Sequence, residues 1–427
     1  MVWKRRQFIG LIPVSALSIH AAAGGIPTAG AAQAPPQGAG AEPATLLTSP
    51  PVVQHPAADS FTVHFAVSTL ATGWVEWGRS ADRLDQVAIA ADHGLVRADD
   101  RALSVRVWLD EPPDADQPIF YRVVAQPLSY RNAYQLSRGE AQASPVMRLR
   151  LPSATADEIT IAIINDTHEN KETLATLHDR LDTLDPDLLV WNGDTTNDFN
   201  AQVDPMQIVL NPAGNASRGW AAERPLLFVP GNHDVRGARA RELTTGLSGW
   251  PGQADLPYNF ALRLGPVALI GLDTGEDKPD AHPVFAGTAA YEPYRQQQAT
   301  WLKSAVERPE VAAAPIKIAV CHIPLRGRPG DNDGTTLDGY ASYSGMGARL
   351  WLPILRQAGF HAVISGHTHR HRIDDATDSE PIVQVVGGGP QPDRATLTLI
   401  RAAGNAAELQ VEDLAGNRLS DRRWPAN

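Results

Sequence analysis

Cysteine is almost absent from this chain of 427 residues, which contains only Cys321. No disulfide can form within the chain, and a metal site built from several soft thiolates is excluded. Cys321 ends an apolar run, directly before His322. We therefore expect an inert thiol in the core at this position.

A long apolar run is lacking near the N-terminus, where the apolar stretch covers only residues 10–19. This stretch is too short for a comfortable transmembrane helix. The basic residues Lys4, Arg5 and Arg6 precede it and an Ala/Gly-rich run follows, which is the layout of an export signal. We predict that residues 1–34 are a signal peptide with its processing region, and that no stable membrane span remains after cleavage.

The basic residues also indicate the type of signal. Arg5 and Arg6, followed by Phe8 and Ile9, resemble the twin-arginine type, which carries folded proteins across the bacterial inner membrane. An ordinary Sec signal is the alternative. Both types predict a periplasmic or secreted protein.

Positive charge is scarce: 37 Lys and Arg stand against 48 Asp and Glu, a formal net charge of −11. Loss of the leader removes three cations and no acidic residue, which takes the net charge to −14. A chain this acidic is a poor partner for a polyanion such as duplex nucleic acid, so we expect no nucleic acid polymer as partner. The His-Glu-x-x-His signature of zinc proteases is missing as well.

The second half of the chain does contain five short motifs rich in histidine and aspartate. They supply enough oxygen and nitrogen ligands for two divalent metals, which is the equipment for activating water against a phosphoester. Each motif alone has an ordinary explanation, such as a helix cap, a turn or a buried structural histidine. As an ordered set they favour a metal site: Asp166-Thr167-His168, Gly193-Asp194, Gly231-Asn232-His233-Asp234, His322, and Gly366-His367-Thr368-His369.

Each motif follows a short, continuous apolar run that reads as a buried strand. Ligand sites in open α/β sheets lie just beyond the C-terminal ends of the strands, so the placement of the motifs is consistent with one shared site. The runs cover residues 159–164, 188–191, 226–229, 316–320 and 362–364.

From about Ile159 to the end of the chain, the ordered set resembles the calcineurin-like metallophosphoesterase superfamily. The resemblance implies that a metal-bridging water or hydroxide attacks the phosphoester. It also implies that His233 is the general acid and that Asp234 orients or polarises it. One metal would take Asp166, His168 and His369, the other would take Asn232, His322 and His367, and Asp194 would bridge both.

The chemistry of the side chains agrees with this scheme. A carboxylate such as that of Asp194 has two oxygens and can bridge two cations. Oxygen and imidazole ligands without thiolate point to Mn, Zn, Fe or Co. Arg236 and His371 are candidates for substrate contacts. The remaining histidines at positions 55, 64, 93, 178, 282 and 361 lack a motif, and we expect them to be structural or solvated.

Residues 46–152 have a different character, with short alternating segments separated by turn signals. This pattern predicts an all-β sandwich. The region resembles the fibronectin-III-like domain that precedes the catalytic domain in purple acid phosphatases and related secreted phosphoesterases, most closely from Gly73 to Leu84. A generic β-sandwich is the alternative.

Residues 159–427 read as alternating strands and helices, with helices predicted at 171–184, 293–307 and 347–358. The resemblance implies an α/β (α+β) fold of four layers, in which two packed mixed sheets are flanked by helices. Two stretches rich in Gly, Asp and Asn, about 200–222 and 326–346, are the predicted walls of a substrate pocket.

The sequence thus predicts an exported, dinuclear metal-dependent phosphoesterase acting on a small phosphoester. The Asp166-x-His168 motif leans toward phosphodiesterases and the β-sandwich toward acid phosphatases, so monoester and diester substrates both stay open. The alternative of another class is a non-catalytic surface-binding protein that kept the fold.

Overall fold

The computed structural model describes residues 45–113, 117–200, 204–212, 214, 219–251, 253–327 and 340–425. The predicted signal region lies outside these residues, as does most of the predicted pocket wall at 326–346. Both remain predictions. None of the described helices is long and apolar enough to cross a membrane.

The N-terminal region consists of antiparallel strands, as the alternating pattern predicts. One sheet has the order β1-β2-β8, and the other is built on β10-β9-β3-β4 with β7, β11 and β12 at its margins. Phe61, Phe65 and Tyr121 are buried in the core of this region. The strands are β1 (Val52–Ala57), β2 (Ser60–Ala66), β3 (Ala71–Gly78), β4 (Gln86–Ile89), β5 (Ala91–Asp92), β6 (Leu95–Val96), β7 (Ala98–Asp99), β8 (Ala102–Trp108), β9 (Ile119–Asn132), β10 (Gln135–Arg138), β11 (Gln142–Ala143) and β12 (Met147–Leu149).

The rest of the chain forms two six-stranded mixed sheets. Their orders are β15-β14-β13-β22-β23-β24 and β16-β17-β18-β19-β21-β20. The strands are β13 (Glu158–Ile164), β14 (Leu188–Asn192), β15 (Leu226–Val229), β16 (Phe260–Leu264), β17 (Val267–Leu272), β18 (Ile316–Cys321), β19 (Ala362–Ser365), β20 (Arg372–Asp374), β21 (Val383–Val386), β22 (Thr396–Ala403), β23 (Ala406–Asp413) and β24 (Arg418–Pro425).

The apolar runs are continuous because both faces of each sheet are covered. In β13, Ile161 and Ile163 pack into the core between the two sheets, whereas Ala162 and Ile164 face the helices outside. A third cluster packs helices against the other face of the second sheet. The predicted four-layer fold is therefore confirmed, with an all-β region before it.

The described helices are α1 (Lys171–Leu184), α2 (Pro205–Leu210), α3 (Leu243–Gly246), α4 (Tyr291–Val306), α5 (Pro309–Ala312), α6 (Tyr340–Leu350) and α7 (Leu352–Gln357). Helix α1 has the predicted bounds, since Asn170 caps its first turn by accepting from the Thr173 N–H at 3.1 Å. The prediction of one helix over 347–358 is wrong. Pro353 lies in the first turn of α7, where its missing N–H costs nothing, so the segment is two helices.

The N-terminal β region packs directly on the part of the chain that contains the first six-stranded sheet. Val53 N–H donates to Ala221 O at 2.8 Å, and the Tyr121 hydroxyl donates to Ala222 O at 2.6 Å. Val52 and Ala102 of the sandwich belong to the same buried cluster as Ile164 of β13. Residues from Thr45 onward accordingly form one compact unit.

Candidate metal centre

The five motifs follow the C-terminal ends of β13, β14, β15, β18 and β19. Within each sheet these strands run parallel to their neighbours in the set, so their carboxyl ends lie along one edge. The two sheets pack face to face, which brings the two edges together. The motifs therefore converge although more than 200 residues separate the first from the last, as in the 3.0 Å contact between His168 and His369.

The first group of side chains consists of Asp166, His168, Asp194 and His369, whose candidate ligand atoms all lie within 4.8 Å of one another. The Nε2 atoms of His168 and His369 are 3.0 Å apart. His168 Nε2 lies 3.4 Å from Asp194 Oδ2, and His369 Nε2 lies 3.4 Å from Asp166 Oδ1. Two imidazole nitrogens and two carboxylates thus point at one small volume.

The second group consists of Asp194, His322 and His367, again with all ligand atoms within 4.8 Å. His322 Nε2 lies 3.1 Å from Asp194 Oδ2. His367 Nδ1 lies 2.8 Å from the side-chain oxygen of Asn232, which adds a neutral oxygen to the group. Asp194 belongs to both groups, which is the position that the sequence reasoning gives it.

The environment of His322 tests whether these residues suit a cation. Its Nδ1 faces the carbonyl oxygen of Asn192 at 2.8 Å, and a carbonyl can only accept, so Nδ1 carries the proton. The buried Nε2 then faces the Asp194 carboxylate at 3.1 Å, and this atom has no well-formed hydrogen bond among the described residues. An imidazole nitrogen beside a carboxylate calls for positive charge between them, which a proton or a metal ion would supply.

The pKa of His322 reflects the negative charge of the carboxylates around it. Burial works against its charged form, but the carboxylates of Asp194 and Asp166 outweigh burial and raise the pKa of His322 to about 10. Burial likewise opposes ionisation of Asp194, yet His322 and His168 hold the pKa of Asp194 well below its usual value. The centre therefore favours positive charge strongly.

The backbone of the site adopts a conformation that is rare for residues with side chains. The φ angles of Asp166, His168, Asp194, His367 and His369 are 48°, 45°, 52°, 69° and 54°. Left-handed backbone of this kind costs of order 1–3 kcal/mol per residue and persists only where the surroundings impose it. Its concentration at the candidate ligands marks the site as built for a purpose other than stability.

Two glycines permit the loops that carry the candidate ligands to approach one another closely. Gly193 has a φ of +77°, and a Cβ there would lie 2.5 Å from His322 Nδ1. A Cβ at Gly366 would collide with the carboxylate of Asp166. Any larger residue at either position would push a candidate ligand out of place.

His233 lies outside both groups, half-buried at the margin of the centre. Its backbone N–H donates to Asp194 Oδ1 at 2.9 Å, and its ring contacts that of His168 edge-on, with centroids 4.8 Å apart. Its Nδ1 faces the carbonyl oxygen of Asn197 at 2.5 Å. The structure therefore places His233 beside the centre, with Nε2 lying 3.3 Å from Arg236 Nη1.

The structure corrects the expected role of Asp234. Its Oδ1 accepts from the N–H and the hydroxyl of Thr195, at 2.9 and 2.5 Å, and its Oδ2 accepts from Gly231 N–H at 2.8 Å. It is fully buried and joins two ligand loops, and burial raises its pKa to about 6. The group that orients the His233 ring is instead the Asn197 carbonyl, a backbone atom that residue identity could not reveal.

Glu169 is a residue of the site that the sequence reasoning missed. Its carboxylate accepts from the Thr196 hydroxyl at 2.5 Å and from Asn197 N–H at 3.3 Å. It thereby holds the backbone at Asn197, the residue whose carbonyl contacts His233. The signal was its position directly after Asp166-Thr167-His168, but its partners lie 27 and 28 residues away.

Of the two predicted substrate contacts, Arg236 lies at the site. Glu276 binds its guanidinium through Nε and Nη2, and Asp277 accepts from Nη2 at 2.6 Å. Nη1 lies 3.3 Å from His233 Nε2. His371 does not lie there: its ring nitrogens lie 2.9 Å from Val386 O and 2.8 Å from Ser420 Oγ. A substrate contact by His371 stays a prediction.

A cavity of about 810 Å³ opens beside His233. One wall comes from the segment that follows Glu276, which the sequence reasoning did not select. Of the two predicted wall segments, 200–222 contributes Asn200 and the described part of 326–346 contributes nothing. The lining residues are Asn197, Asp198, Asn200, His233, Val235, Arg236, Gly237, Ala240, Arg241, Glu276, Lys278, Val284, Phe285, Thr288, Ala289 and Tyr291.

Comparison with known proteins places the fold and the motifs in a wider context. The family model described as calcineurin-like phosphoesterase matches residues 159–371, which contain all five motifs. No curated protein sequence matches the chain.

Two solved structures resemble the chain at the level of the fold. One is purple acid phosphatase PPD1 from yellow lupin (Lupinus luteus) seeds, with a TM-score of 0.61, 11% identity, and coverage of 88% of this chain and 74% of that one. The other is PhoD, with a TM-score of 0.58, 11% identity, and coverage of 89% and 94%.

Proposed function

Because this chain belongs to the calcineurin-like metallophosphoesterase superfamily, and is thus a metal-dependent phosphoester hydrolase, we propose that it is an exported dinuclear enzyme for phosphomonoesters or phosphodiesters. The observation that carries the proposal is the pair of ligand groups that share Asp194 at the joined strand ends. The substrate is a small phosphoester, whose negative charge the acidic chain tolerates because the metals supply local positive charge.

The family and the Asp/His cluster imply a dinuclear divalent metal centre. In our proposal the first metal is held by Asp166, His168 and His369, the second by Asn232, His322 and His367, and Asp194 bridges them. A divalent pair supplies a nucleophilic water of lowered pKa and positive charge for the phosphoryl oxygens. The hard and borderline donors favour Mn, Zn, Fe or Co.

His233 donates a proton to the leaving oxygen. Because the Asn197 carbonyl fixes the proton on Nδ1, the atom that exchanges a proton with the substrate is Nε2. Arg236 Nη1 lies beside that nitrogen, and the carboxylates of Glu276 and Asp277 hold the rest of the guanidinium still. In our proposal Nη1 donates to a phosphoryl oxygen and steadies the ester against His233.

The second motif departs from that of purple acid phosphatases, whose Gly-Asp-x-x-Tyr supplies a tyrosinate to ferric iron. Here the stretch is Gly193-Asp194-Thr195-Thr196-Asn197, and the extra imidazole of His168 replaces the missing phenolate. A neutral imidazole stabilises Fe(III) less than an anionic phenolate does. We therefore propose a divalent pair without a tyrosinate-to-iron charge-transfer band, and a purple enzyme would contradict this.

Export and the nature of the sandwich rest on the sequence alone. Residues 1–34 support a twin-arginine signal and a periplasmic or secreted location, and residues 46–152 support a fibronectin-III-like domain. Replacement of Arg5 and Arg6 by lysine should block export of the folded enzyme if the signal is of the twin-arginine type. Undiminished export of that variant would favour the Sec alternative.

The alternative of a non-catalytic surface-binding protein has no observation in its favour. Such a protein would be free to lose ligands, whereas this chain keeps both ligand groups and His233 in place.

A substrate panel with defined metal content tests the proposal. Chelated enzyme should lose hydrolysis of matched mono- and diesters, and Mn²⁺, Zn²⁺ or Co²⁺ should restore at least one class. Full activity of the metal-free enzyme, or no hydrolysis with any metal, would overturn the function.

A further inference from the structure

The cavity beside His233 lies on one particular side of the reacting phosphorus. His233 is the proposed donor to the leaving oxygen, and its side chain forms part of the cavity wall, whereas none of the proposed metal ligands lines the cavity. The cavity therefore accommodates mainly the leaving alcohol, and Arg236 lies where the alcohol meets the phosphoryl group. This assignment rests on the function proposed above.

The size and the lining of the cavity indicate which kind of alcohol would fit. A volume of about 810 Å³ lies in the range of pockets that enclose whole organic ligands, and far exceeds the needs of a short alkyl group. Val284, Phe285 and Tyr291 form an apolar wall, with the two aromatic ring centroids 6.3 Å apart and the rings tilted by 60°. Val284 is 65% exposed, so this wall includes apolar surface open to solvent.

Contacts on the side away from the cavity hold the Tyr291 part of the aromatic wall in place. Asp280 accepts from Tyr291 N–H at 2.8 Å and from Glu292 N–H at 3.0 Å, and so fixes the start of α4. The Tyr291 ring lies against Gly275, where a Cβ would collide with it. A pre-positioned ring of this kind binds a planar partner with little loss of conformational freedom.

Polar groups also line the same cavity. The Tyr291 hydroxyl has no hydrogen-bond partner among the described residues, and neither does the exposed guanidinium of Arg241. Lys278, by contrast, is engaged with Asp277 at 2.7 Å. The cavity thus offers an apolar aromatic wall together with a hydroxyl and a cation, which suits a ring that carries hydrogen-bonding groups.

We infer that the preferred substrates are phosphoesters whose leaving alcohol carries a planar ring, and that Phe285 and Tyr291 determine this preference by contacting the ring. An aryl group and a nucleobase share this chemistry. The polar groups favour the nucleobase, and the test below has an arm for each source.

Four monoesters of primary alcohols separate ring recognition from leaving-group chemistry: ethyl phosphate, ribose 5-phosphate, naphthylmethyl phosphate and adenosine 5′-monophosphate. Each is also tested as its methyl diester. Naphthylmethyl should exceed ethyl, and adenosine should exceed ribose, by about tenfold or more in kcat/KM, which corresponds to about 1.4 kcal/mol. Phe285→Ala and Tyr291→Ala should bring both ratios toward one. Tyr134→Ala, which removes a 97% exposed aromatic ring on the β-sandwich, should leave them unchanged.

Binding of the product alcohols gives a readout that does not require hydrolysis. In calorimetric titration of the metal-loaded enzyme, adenosine and naphthylmethanol should bind, ribose should bind more weakly, and both aromatic variants should lose the difference. Hydrolysis of all four esters at similar kcat/KM, with no binding of either ring alcohol, would overturn the ring preference and leave the phosphoesterase function intact. Absence of hydrolysis with retained binding of adenosine would overturn the phosphoesterase function, and the substrate preference with it, and would leave only ring binding by the cavity.

Discussion

Two clusters of buried histidines lie among the described residues, one at the metal centre and one where the N-terminal β region meets the six-stranded sheets. His322 is fully buried in the first, and His55 and His64, here called the seam histidines, are buried in the second. Carboxylates of Asp166 and Asp194 surround His322 and raise its pKa to about 10. Burial lowers the pKa of His55 to about 4 and that of His64 well below its usual value.

The partners explain the difference. The seam histidines meet neutral groups: His55 Nε2 lies 2.8 Å from Ser248 O, and His64 Nε2 lies 3.2 Å from Ser248 Oγ. The His55 ring also contacts Trp250, with centroids 5.0 Å apart. A buried imidazole with neutral partners stays neutral and joins two surfaces, whereas one between carboxylates attracts a cation. Burial alone therefore does not distinguish a functional histidine from a structural one.

The largest expected effect comes from removing the carboxylate shared by both ligand groups. Asp194→Ala should lose both metals in elemental analysis and more activity than any terminal-ligand variant. The loss should exceed about 10²-fold, because replacing even a hydrogen-bonding partner of a ligand costs 10- to 100-fold. Retention of both metals would show that Asp194 does not bridge.

The next effect concerns the histidine beside the centre that is not a proposed ligand. His233→Ala should keep both metals and lose about 10²–10⁴-fold in rate, the usual contribution of a general acid. The loss should shrink for esters with good leaving groups, which need no proton. Loss of metal from this variant would show that His233 is a metal ligand.

The seam histidines predict a loss of stability in acid. The folded-state pKa of His55 lies near 4 and the unfolded one near 6.5, so between these values the unfolded chain binds a proton that the folded chain rejects. Its contribution to the free energy of unfolding should fall as the pH drops from 6.5 toward 4, by about 3 kcal/mol in total.

Denaturant unfolding of chelated protein at pH 7 and pH 5 measures the slope of the free energy of unfolding against pH. His55→Asn should flatten it, since asparagine tolerates the φ of 49° at this position. His93→Asn is the matched control, because His93 also has a positive φ, of 40°, but is exposed. An equal pH dependence in wild type and both variants would show that His55 does not contribute to the acid response.

The smallest effect is expected at His371, which has a motif beside it but partners outside the centre. His371→Ala should hydrolyse phosphoesters at close to the wild-type rate, because Val386 O and Ser420 Oγ already occupy its nitrogens. Its stability should fall by about 1 kcal/mol for the lost hydrogen bonds. A large loss of kcat with unchanged stability would confirm its predicted role in substrate binding.

The sequence alone was sufficient for the set of residues that converge. This set follows from local signals, because a continuous apolar run such as Ile159–Ile164 needs two covered faces and the motif after it must then lie at a sheet edge. The four-layer arrangement came from the resemblance of the motifs to the calcineurin-like superfamily, and the two six-stranded sheets of the structure agree with it. Asp166, Asp194 and His322 could be selected because their positions relative to strand ends are a property of the chain itself.

The tertiary structure decided what those side chains contact. Asp234 joins Thr195 and Gly231 and does not serve His233, whereas a backbone carbonyl 36 residues away holds the His233 ring. Phe285 and Tyr291 form a pocket wall from a segment without a motif. Such contacts depend on which loops the sheet order brings together, and loop packing between distant segments leaves no periodic trace in the sequence.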